Sequence, residues 1–120
     1  MAYFNGKGVP ENQKKAFELV QKACDLGSAK GCNIVGVFYL KGAEWNSGVA
    51  KDSSKAFAFY KKACDMGDAQ GCANLGALYY KGDGVKKDIN AAKNYSKKAC
   101  SMGYQDGCDN YKIMLRQGGR

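Results

Sequence analysis

The sequence contains three copies of one segment, and every copy carries two cysteines at one fixed spacing. Residues 14–42 and 54–82 agree at most positions, and residues 91–119 keep the same register through their cysteines. The cysteines recur after 40 and then 36 residues, as Cys24, Cys64 and Cys100 and as Cys32, Cys72 and Cys108. Repeats of this length are typical of solenoids, in which each copy packs only against its neighbours.

Each copy predicts two antiparallel helices. Small and apolar residues of the first helix recur at the spacing of one helical face, at Ala16, Val20, Ala23 and Cys24, at Ala56, Tyr60, Ala63 and Cys64, and at Ala92, Ser96, Ala99 and Cys100. The inward face of the second helix is predicted at Cys32, Val35, Gly36 and Tyr39, at Cys72, Leu75, Gly76 and Tyr79, and at Cys108, Tyr111, Lys112 and Leu115. This periodicity predicts an all-α chain. The apolar runs are too short for a membrane span, so we expect the chain to lie outside the bilayer.

Polar residues and glycines mark the expected helix ends. Side chains that favour N-caps stand at Asn12, Asp52 and Asp88 before the first helices and at Ser28 and Asp68 before two of the second helices. A left-handed residue that ends the first helix is expected at Gly27, Gly67 and Gly103. These signals predict one repeat domain over residues 1–120, with helical hairpins at 11–42, 51–82 and 87–117 and a tail at 118–120.

The two ends of the chain differ from the middle. Gly36 and Gly76 leave room for the next helix, whereas Lys112 at the same position is expected to be exposed to solvent. The third copy is therefore interpreted as a C-terminal cap. Residues 2–9 match residues 78–85. We therefore expect residues 1–10 to be the end of a truncated N-terminal repeat.

The six cysteines and the absence of histidine constrain the chemistry. Within each copy the cysteines flank the turn of a hairpin, where a bridge is geometrically plausible, and the predicted disulfides are Cys24 with Cys32, Cys64 with Cys72, and Cys100 with Cys108. The alternative is three pairs of reduced, buried thiols. Disulfides would indicate an oxidising compartment. Without histidine or a CxxC motif, we predict no metal site and no cofactor.

Two motifs resemble a known family. The stretch ANLGALYYKGDGVKKD over 73–88, continuing to Ala92, resembles the Sel-like repeat family, and KKACDMGDAQGC over 61–72 is similar to its cysteine-rich branch, the Helicobacter cysteine-rich proteins. The resemblance implies a right-handed α/α solenoid of tetratricopeptide-like hairpins, each clipped by a disulfide. It also implies a secreted or periplasmic scaffold that binds a protein or peptide in its concave groove.

The same resemblance implies one enzymatic alternative, a weak penicillin-binding protein or slow β-lactamase that would take a β-lactam or a cell-wall-derived ligand. A serine β-lactamase needs an S-x-x-K motif, in which one helical turn brings the amine to the hydroxyl. No serine here has a lysine three residues further on, and neither K-T-G nor S-D-N occurs. The sequence itself therefore names no catalytic residue.

The net charge of +8 suggests an anionic partner. Lysine supplies 17 of the 19 basic residues, and arginine, which makes bidentate contacts to bases and phosphates, occurs only as Arg116 and Arg120. The pairs Lys14–Lys15, Lys61–Lys62 and Lys97–Lys98 are predicted on a solvated face. We therefore expect no nucleic-acid ligand, and the second alternative is a basic surface that binds anionic envelope components.

By resemblance to tetratricopeptide repeats, the second helix of each hairpin should line the concave groove. Its residues that packing does not require are the candidate peptide-binding residues, together with Leu40: Lys30, Asn33, Val37, Lys41, Gln70, Asn74, Ala77, Tyr80, Lys81, Asp106, Asp109 and Asn110. Amides can pair with a peptide main chain and lysines with carboxylates. Trp45 lies in the four-residue insertion around residues 43–46 and is expected to pack on the helices, the alternative being an anchor for a partner.

Overall fold

Six α-helices follow one another through the part of the chain that the structure describes. The computed structural model describes the backbone of residues 9–45 and 47–118, and the side chains of residues 13–116 except 43, 45 and 46. The helices are α1 (Val9–Asp25), α2 (Ala29–Lys41), α3 (Ser53–Asp65), α4 (Ala69–Lys81), α5 (Ile89–Ser101) and α6 (Gln105–Gly118). No strand occurs within these ranges, which confirms the all-α prediction.

Most predicted helix ends are confirmed. Asp52 and Asp88 cap α3 and α5 by accepting a hydrogen bond from a main-chain N–H three residues further on, and Ser28 and Asp68 cap α2 and α4 in the same way. The expected glycines have positive φ angles of 103°, 102° and 96°, at Gly27, Gly67 and Gly103. A short 3-10 helix, Gly42–Trp45, covers most of the four-residue insertion.

The predicted N-cap at Asn12 is wrong. Helix α1 begins at Val9, so Asn12 lies inside its first turn. Pro10 explains the earlier start, because proline has no N–H to satisfy and its φ angle suits the beginning of a helix. The stub predicted before it falls mainly on residues 1–8, which lie outside the described residues, as does the side chain of Trp45.

A disulfide joins the two helices of every hairpin. The bridges are Cys24–Cys32, Cys64–Cys72 and Cys100–Cys108, with Cα–Cα distances of 4.5, 4.5 and 4.4 Å, and this confirms the predicted pairing. On the loop-entropy argument, closing so short a loop stabilises the fold by about 2 to 3 kcal/mol per bridge. That contribution matters in a solenoid, which has no single central core.

Successive hairpins stack along one axis. Helix α2 packs on α3 and α4 packs on α5, while the two helices of each hairpin pack on each other. The described chain is correspondingly elongated, with extents of 48 × 26 × 25 Å. The lysine pairs at 14–15, 61–62 and 97–98 are all exposed, as the charge pattern predicted.

The two junctions between hairpins use the same backbone position for close approach. A Cβ on Gly36 would lie 2.6 Å from the ring of Tyr60, and a Cβ on Gly76 would lie 3.0 Å from the carbonyl oxygen of Ala92 and the hydroxyl of Ser96. Aromatic side chains frame these contacts, since Tyr39 stacks on Phe59 and Tyr79 on Tyr95, each at 5.8 Å between ring centroids. The hairpins therefore pack at van der Waals distance.

The third copy departs from the predicted inward face. Lys112 is exposed, as expected for a cap. Leu115, predicted to face inward, is 45% exposed, and Met114 is buried instead at 5%. Leu115 is equivalent to Tyr39 and Tyr79, which contact the next hairpin. No further hairpin follows in the described chain, so this position stays open. Met114 occupies the core position that Phe38 and Leu78 fill in the other two hairpins, where each is 2% exposed.

Candidate functional site: the face formed by α2, α4 and α6

The second helices of the hairpins lie beside one another. Helix α2 contacts α4, and α4 contacts α6, whereas within the described residues α1, α3 and α5 make no comparable contacts among themselves. In a curved stack, the helices that lie closer together are on the inner side. The face formed by α2, α4 and α6, which we call the groove face, is therefore the concave side that carries the candidate residues.

At the first junction, two candidate residues bind each other. Nδ2 of Asn74 in α4 donates a hydrogen bond of 2.8 Å to Oδ1 of Asn33 in α2. Asn33 is only 4% exposed, which corrects the expectation that packing spares it. A buried amide needs a hydrogen-bond partner, and Asn74 supplies it. This pair couples the first two hairpins.

At the second junction, the equivalent amide is unpaired. Asn110 of α6 occupies the repeat position of Asn74, but the residue of α4 equivalent to Asn33 is Ala73, which has no acceptor. Asn110 is half-buried, and no hydrogen bond to another described side chain reaches it. Its carboxamide therefore keeps a donor and an acceptor for a ligand.

A cleft of about 230 Å³ lies beside this amide, between α4 and α6. The described residues that line it are Ala77, Tyr80, Lys81, Asn110, Ile113 and Met114. The first four are candidate residues from the sequence, whereas Ile113 and Met114 were missed. Ile113 is 46% exposed, so the cleft offers apolar surface to an occupant. Repeat alignment could have indicated Ile113, because it is the counterpart of Ala77 and of Val37.

The corresponding positions of the first junction are more tightly filled. Val37 and Leu40 of α2 pack against the central core cluster. Their counterparts in α4 are Ala77 and Tyr80. Alanine lacks two methyl groups that valine has, so position 77 fills less space than position 37, whereas Tyr80 is larger than Leu40.

The remaining candidate residues stand at the ends of the same helices. Lys30, Lys41, Lys81, Asp106 and Asp109 are exposed, and Gln70 is half-buried. The two carboxylates are engaged locally: Asp106 accepts from the hydroxyl of Tyr104 at 3.1 Å, and Asp109 accepts from Nε2 of Gln105 at 3.0 Å.

The pKa of Tyr104, at this end of the groove face, is raised above its ordinary value. Partial burial and the hydrogen bond to Asp106 raise the pKa of Tyr104, and a hydrogen bond with Gln70 acts in the opposite direction. The phenol therefore stays neutral at physiological pH, and its proton is donated to the carboxylate of Asp106.

Several serine hydroxyls have structural partners. Ser28 caps α2, Ser47 accepts from the N–H of Val49 at 3.2 Å, and Ser101 donates to the carbonyl of Lys98 at 2.9 Å. Ser96 is fully buried and lies 3.7 Å from the sulfur of Met114. These hydroxyls give no support to the β-lactamase alternative.

A larger hollow of about 590 Å³ lies on α1, away from the groove face. Its lining alternates in charge, with Lys15, Glu18, Leu19, Gln21, Lys22 and Asp25. Leu19 is the counterpart of Phe59 and Tyr95, both of which contact a preceding hairpin, and it is 67% exposed. The hollow therefore lies on the stacking face of the first described hairpin, where no preceding hairpin is present among the described residues.

No group of three His, Cys, Asp or Glu side chains comes together in the described residues as a metal-binding cluster. None of the described helices combines the length and the apolar character needed to cross a bilayer.

Stacked, disulfide-clipped hairpins with a shared concave face define a helical-repeat solenoid. The Sel1 repeat family matches residues 1–28, 29–68 and 69–104, and the chain belongs to this family. No curated protein sequence matched the chain.

Three solved structures share the fold. Cysteine-rich protein B of Helicobacter pylori is 41% identical, with a TM-score of 0.72 over 79% of this chain and 68% of that one. A protective antigen of uropathogenic Escherichia coli with an SLR fold is 28% identical, with a TM-score of 0.83, and a Sel1 repeat protein of Oxalobacter formigenes is 27% identical, with a TM-score of 0.79. Both of these matches cover 97% of this chain, which spans 24% and 46% of their lengths.

Proposed function

We propose that the protein is a binding scaffold that holds an extended peptide segment of a partner protein on the groove face, centred on the second junction. The observation that carries this proposal is the cleft between α4 and α6, where the unpaired carboxamide of Asn110 lies beside apolar surface. An apolar cleft with a few convergent polar groups is the usual form of a ligand site. Membership of a repeat family that serves as a scaffold agrees with it.

The lining residues suit the chemistry of a peptide. The carboxamide of Asn110 can donate to a main-chain carbonyl and accept from a main-chain N–H. Ala77, Ile113 and Met114 provide apolar contacts for one aliphatic side chain. Lys81 is exposed at the rim of the cleft and can pair with a carboxylate of the ligand, in keeping with the net charge of +8.

Three disulfides favour an extracytoplasmic location, because the cytosol keeps thiols reduced. We propose in addition that the protein is secreted or periplasmic. Fractionation of producing cells into cytoplasm, periplasm and medium tests this, and full-length protein confined to the cytoplasm with six alkylatable thiols would overturn it.

Binding is tested by screening the oxidised protein against a random heptapeptide phage library and measuring the selected peptides by calorimetry. The variant Ala77→Leu should fill the cleft, and Asn110→Ala should remove the amide, so each should weaken binding at least about tenfold. Asn94→Ala is the matched control, because Asn94 is an exposed asparagine on α5. Selected peptides that bind all three variants as well as the parent protein would refute the groove site.

A further inference from the structure

The three disulfides share one position in the repeat but differ in burial. The sulfurs of the first two bridges belong to residues that are 0 or 1% exposed. Cys100 and Cys108 of the third bridge are only half-buried. Reaction of a disulfide with an external thiol requires access to a sulfur atom, so the difference in burial affects how fast each bridge can react.

A methionine of the next hairpin covers each of the first two bridges. Sδ of Met66 lies 3.9 Å from Sγ of Cys32, and Sδ of Met102 lies 3.9 Å from Sγ of Cys72. These contacts show that the second cysteine of a bridge faces the following hairpin. In the described residues no hairpin follows α6, so no thioether takes this place at Cys108.

The third bridge also has a charged neighbour that the others lack. Four residues after Cys32 and Cys72 stand Gly36 and Gly76, whereas Lys112 stands four residues after Cys108. Residues four apart in a helix lie on one face, with Cβ atoms about 5 to 6 Å apart. Because Gly36 and Gly76 also face the following hairpin, Cys108 and Lys112 share the face of α6 that no described hairpin covers.

We propose that Cys100–Cys108 is a thiol-exchange site for a low-molecular-weight thiol, while the other two bridges are inert structural clips. The thiolate of the small thiol attacks Sγ of Cys100, forms a mixed disulfide there, and breaks the Cys100–Cys108 bond. The electron pair of that bond leaves on Cys108 as a thiolate beside the ammonium of Lys112. A second thiolate then attacks the small thiol's sulfur, so two thiols become one external disulfide and both cysteines become reduced.

Two physical effects favour this site. A leaving group that is stabilised as a thiolate departs faster, and a nearby lysine provides that stabilisation. Because Cys100 and Cys108 are only half-buried, an attacking thiolate can reach a sulfur atom of the third bridge, whereas the sulfurs of the first two bridges are buried. Opening would free only the last hairpin, whose helix α6 carries Asn110, Ile113 and Met114 of the cleft. The expectation that opening lowers peptide affinity depends on the proposed function, whereas the thiol exchange itself does not.

Graded reduction of the oxidised protein with reduced glutathione tests the exchange. Samples are acid-quenched at intervals and alkylated with iodoacetamide after the pH is restored, peptide mapping locates the label, and circular dichroism follows the fold. We expect Cys100 and Cys108 to be labelled about tenfold faster than the other four cysteines, with helical content retained. Opening of either of the other two bridges as fast as Cys100–Cys108, or opening of all three together with loss of helix, would overturn the proposal.

Two variants separate the causes. Lys112→Gln should slow opening of the third bridge several-fold, while Lys86→Gln, a change at an exposed lysine in the loop before α5, should leave it unchanged. Met102→Ala should speed opening of Cys64–Cys72 and leave Cys24–Cys32 slow. If Cys100–Cys108 opens as fast in Lys112→Gln as in the parent protein, the lysine does not assist the exchange. If Cys64–Cys72 opens no faster in Met102→Ala than in the parent protein, the thioether does not protect that bridge.

Discussion

The two junctions between hairpins have the same backbone arrangement and different contents. At the first, the ring of Tyr60 rests on Gly36, and Asn33 pairs with Asn74. At the second, the smaller Ser96 rests on Gly76, and Asn110 has no such partner. At the first junction the two amides bind each other, whereas the second has a cleft and an amide without a side-chain partner on the groove face.

The comparison shows how a repeat protein can divide stability and binding between equivalent positions. In a solenoid, stability is close to a sum of hairpin and junction contributions, so one junction can be strong while its neighbour stays open. Substitutions at matched positions of the two junctions test this division.

The largest difference should come from the residues that rest on the glycines. Tyr60 is 2% exposed, and Tyr60→Ala should lower the free energy of unfolding by about 3 to 5 kcal/mol, because it removes a buried ring and leaves a cavity. Ser96→Ala should cost about 1 kcal/mol or less, since the hydroxyl makes only a long contact with Met114. Urea denaturation of the oxidised proteins measures both, and equal losses would contradict the comparison.

Alkaline pH should weaken the first junction selectively. Burial raises the pKa of Tyr60 from 10.0 to about 12. Above pH 10 the unfolded chain releases this proton and the folded chain retains it, so stability falls as pH rises from 10 towards 12, by at most about 2 to 3 kcal/mol. The measurement is the free energy of unfolding against pH for the parent protein and for Tyr60→Phe, which should lose this part of the decline. Identical profiles would show that Tyr60 is not the cause.

A methyl group added at the glycines should cost more at the first junction. Gly36→Ala would press on a buried aromatic ring 2.6 Å away, and Gly76→Ala would meet atoms no closer than 3.0 Å. Overpacking of a core costs about 1 to 3 kcal/mol, and alanine returns up to about 1 kcal/mol of helix propensity. We expect a net loss of about 1 to 2 kcal/mol for Gly36→Ala and a smaller loss for Gly76→Ala. Thermal denaturation that ranks them in the opposite order would contradict the packing argument.

The amides should show the smallest difference in stability. Asn33→Ala removes one partner of the Asn33–Asn74 hydrogen bond and should cost about 1 kcal/mol. Asn110→Ala should leave stability within about 0.5 kcal/mol, as expected for a side chain without such a partner. Chemical denaturation of both variants checks this, and a large loss for Asn110→Ala would place that amide in the structural network.

Local signals predicted most of the fold. The helices, their aspartate caps and the bridges follow from spacing within about 30 residues, because each hairpin forms from neighbouring sequence. The start of α1 was predicted wrongly because Pro10, which favours the beginning of a helix, precedes the N-cap candidate Asn12. Leu115 was misplaced because its burial depends on a following hairpin, which a periodic pattern assumes and the described residues do not contain.

The groove face was harder to predict. The sequence identified Ala77, Tyr80, Lys81 and Asn110, since they lie on one side of a helix that packing does not require. It could not show that Asn33 reaches Asn74, because these residues occupy different positions in the repeat and meet only through the relative placement of α2 and α4. The cleft likewise depends on the placement of α6 against α4, which brings together residues of two hairpins.

The central claim, that the second junction is open for a peptide, is tested most directly by NMR. Backbone and side-chain amide resonances of the ¹⁵N-labelled, oxidised protein would be followed during titration with the tightest peptide from the phage screen. We predict that the largest shifts fall on the side-chain amide of Asn110 and on main-chain amides around Ala77 and Ile113, with Asn33 and α3 little changed. Shifts centred on the first junction or on the outer helices would contradict the account.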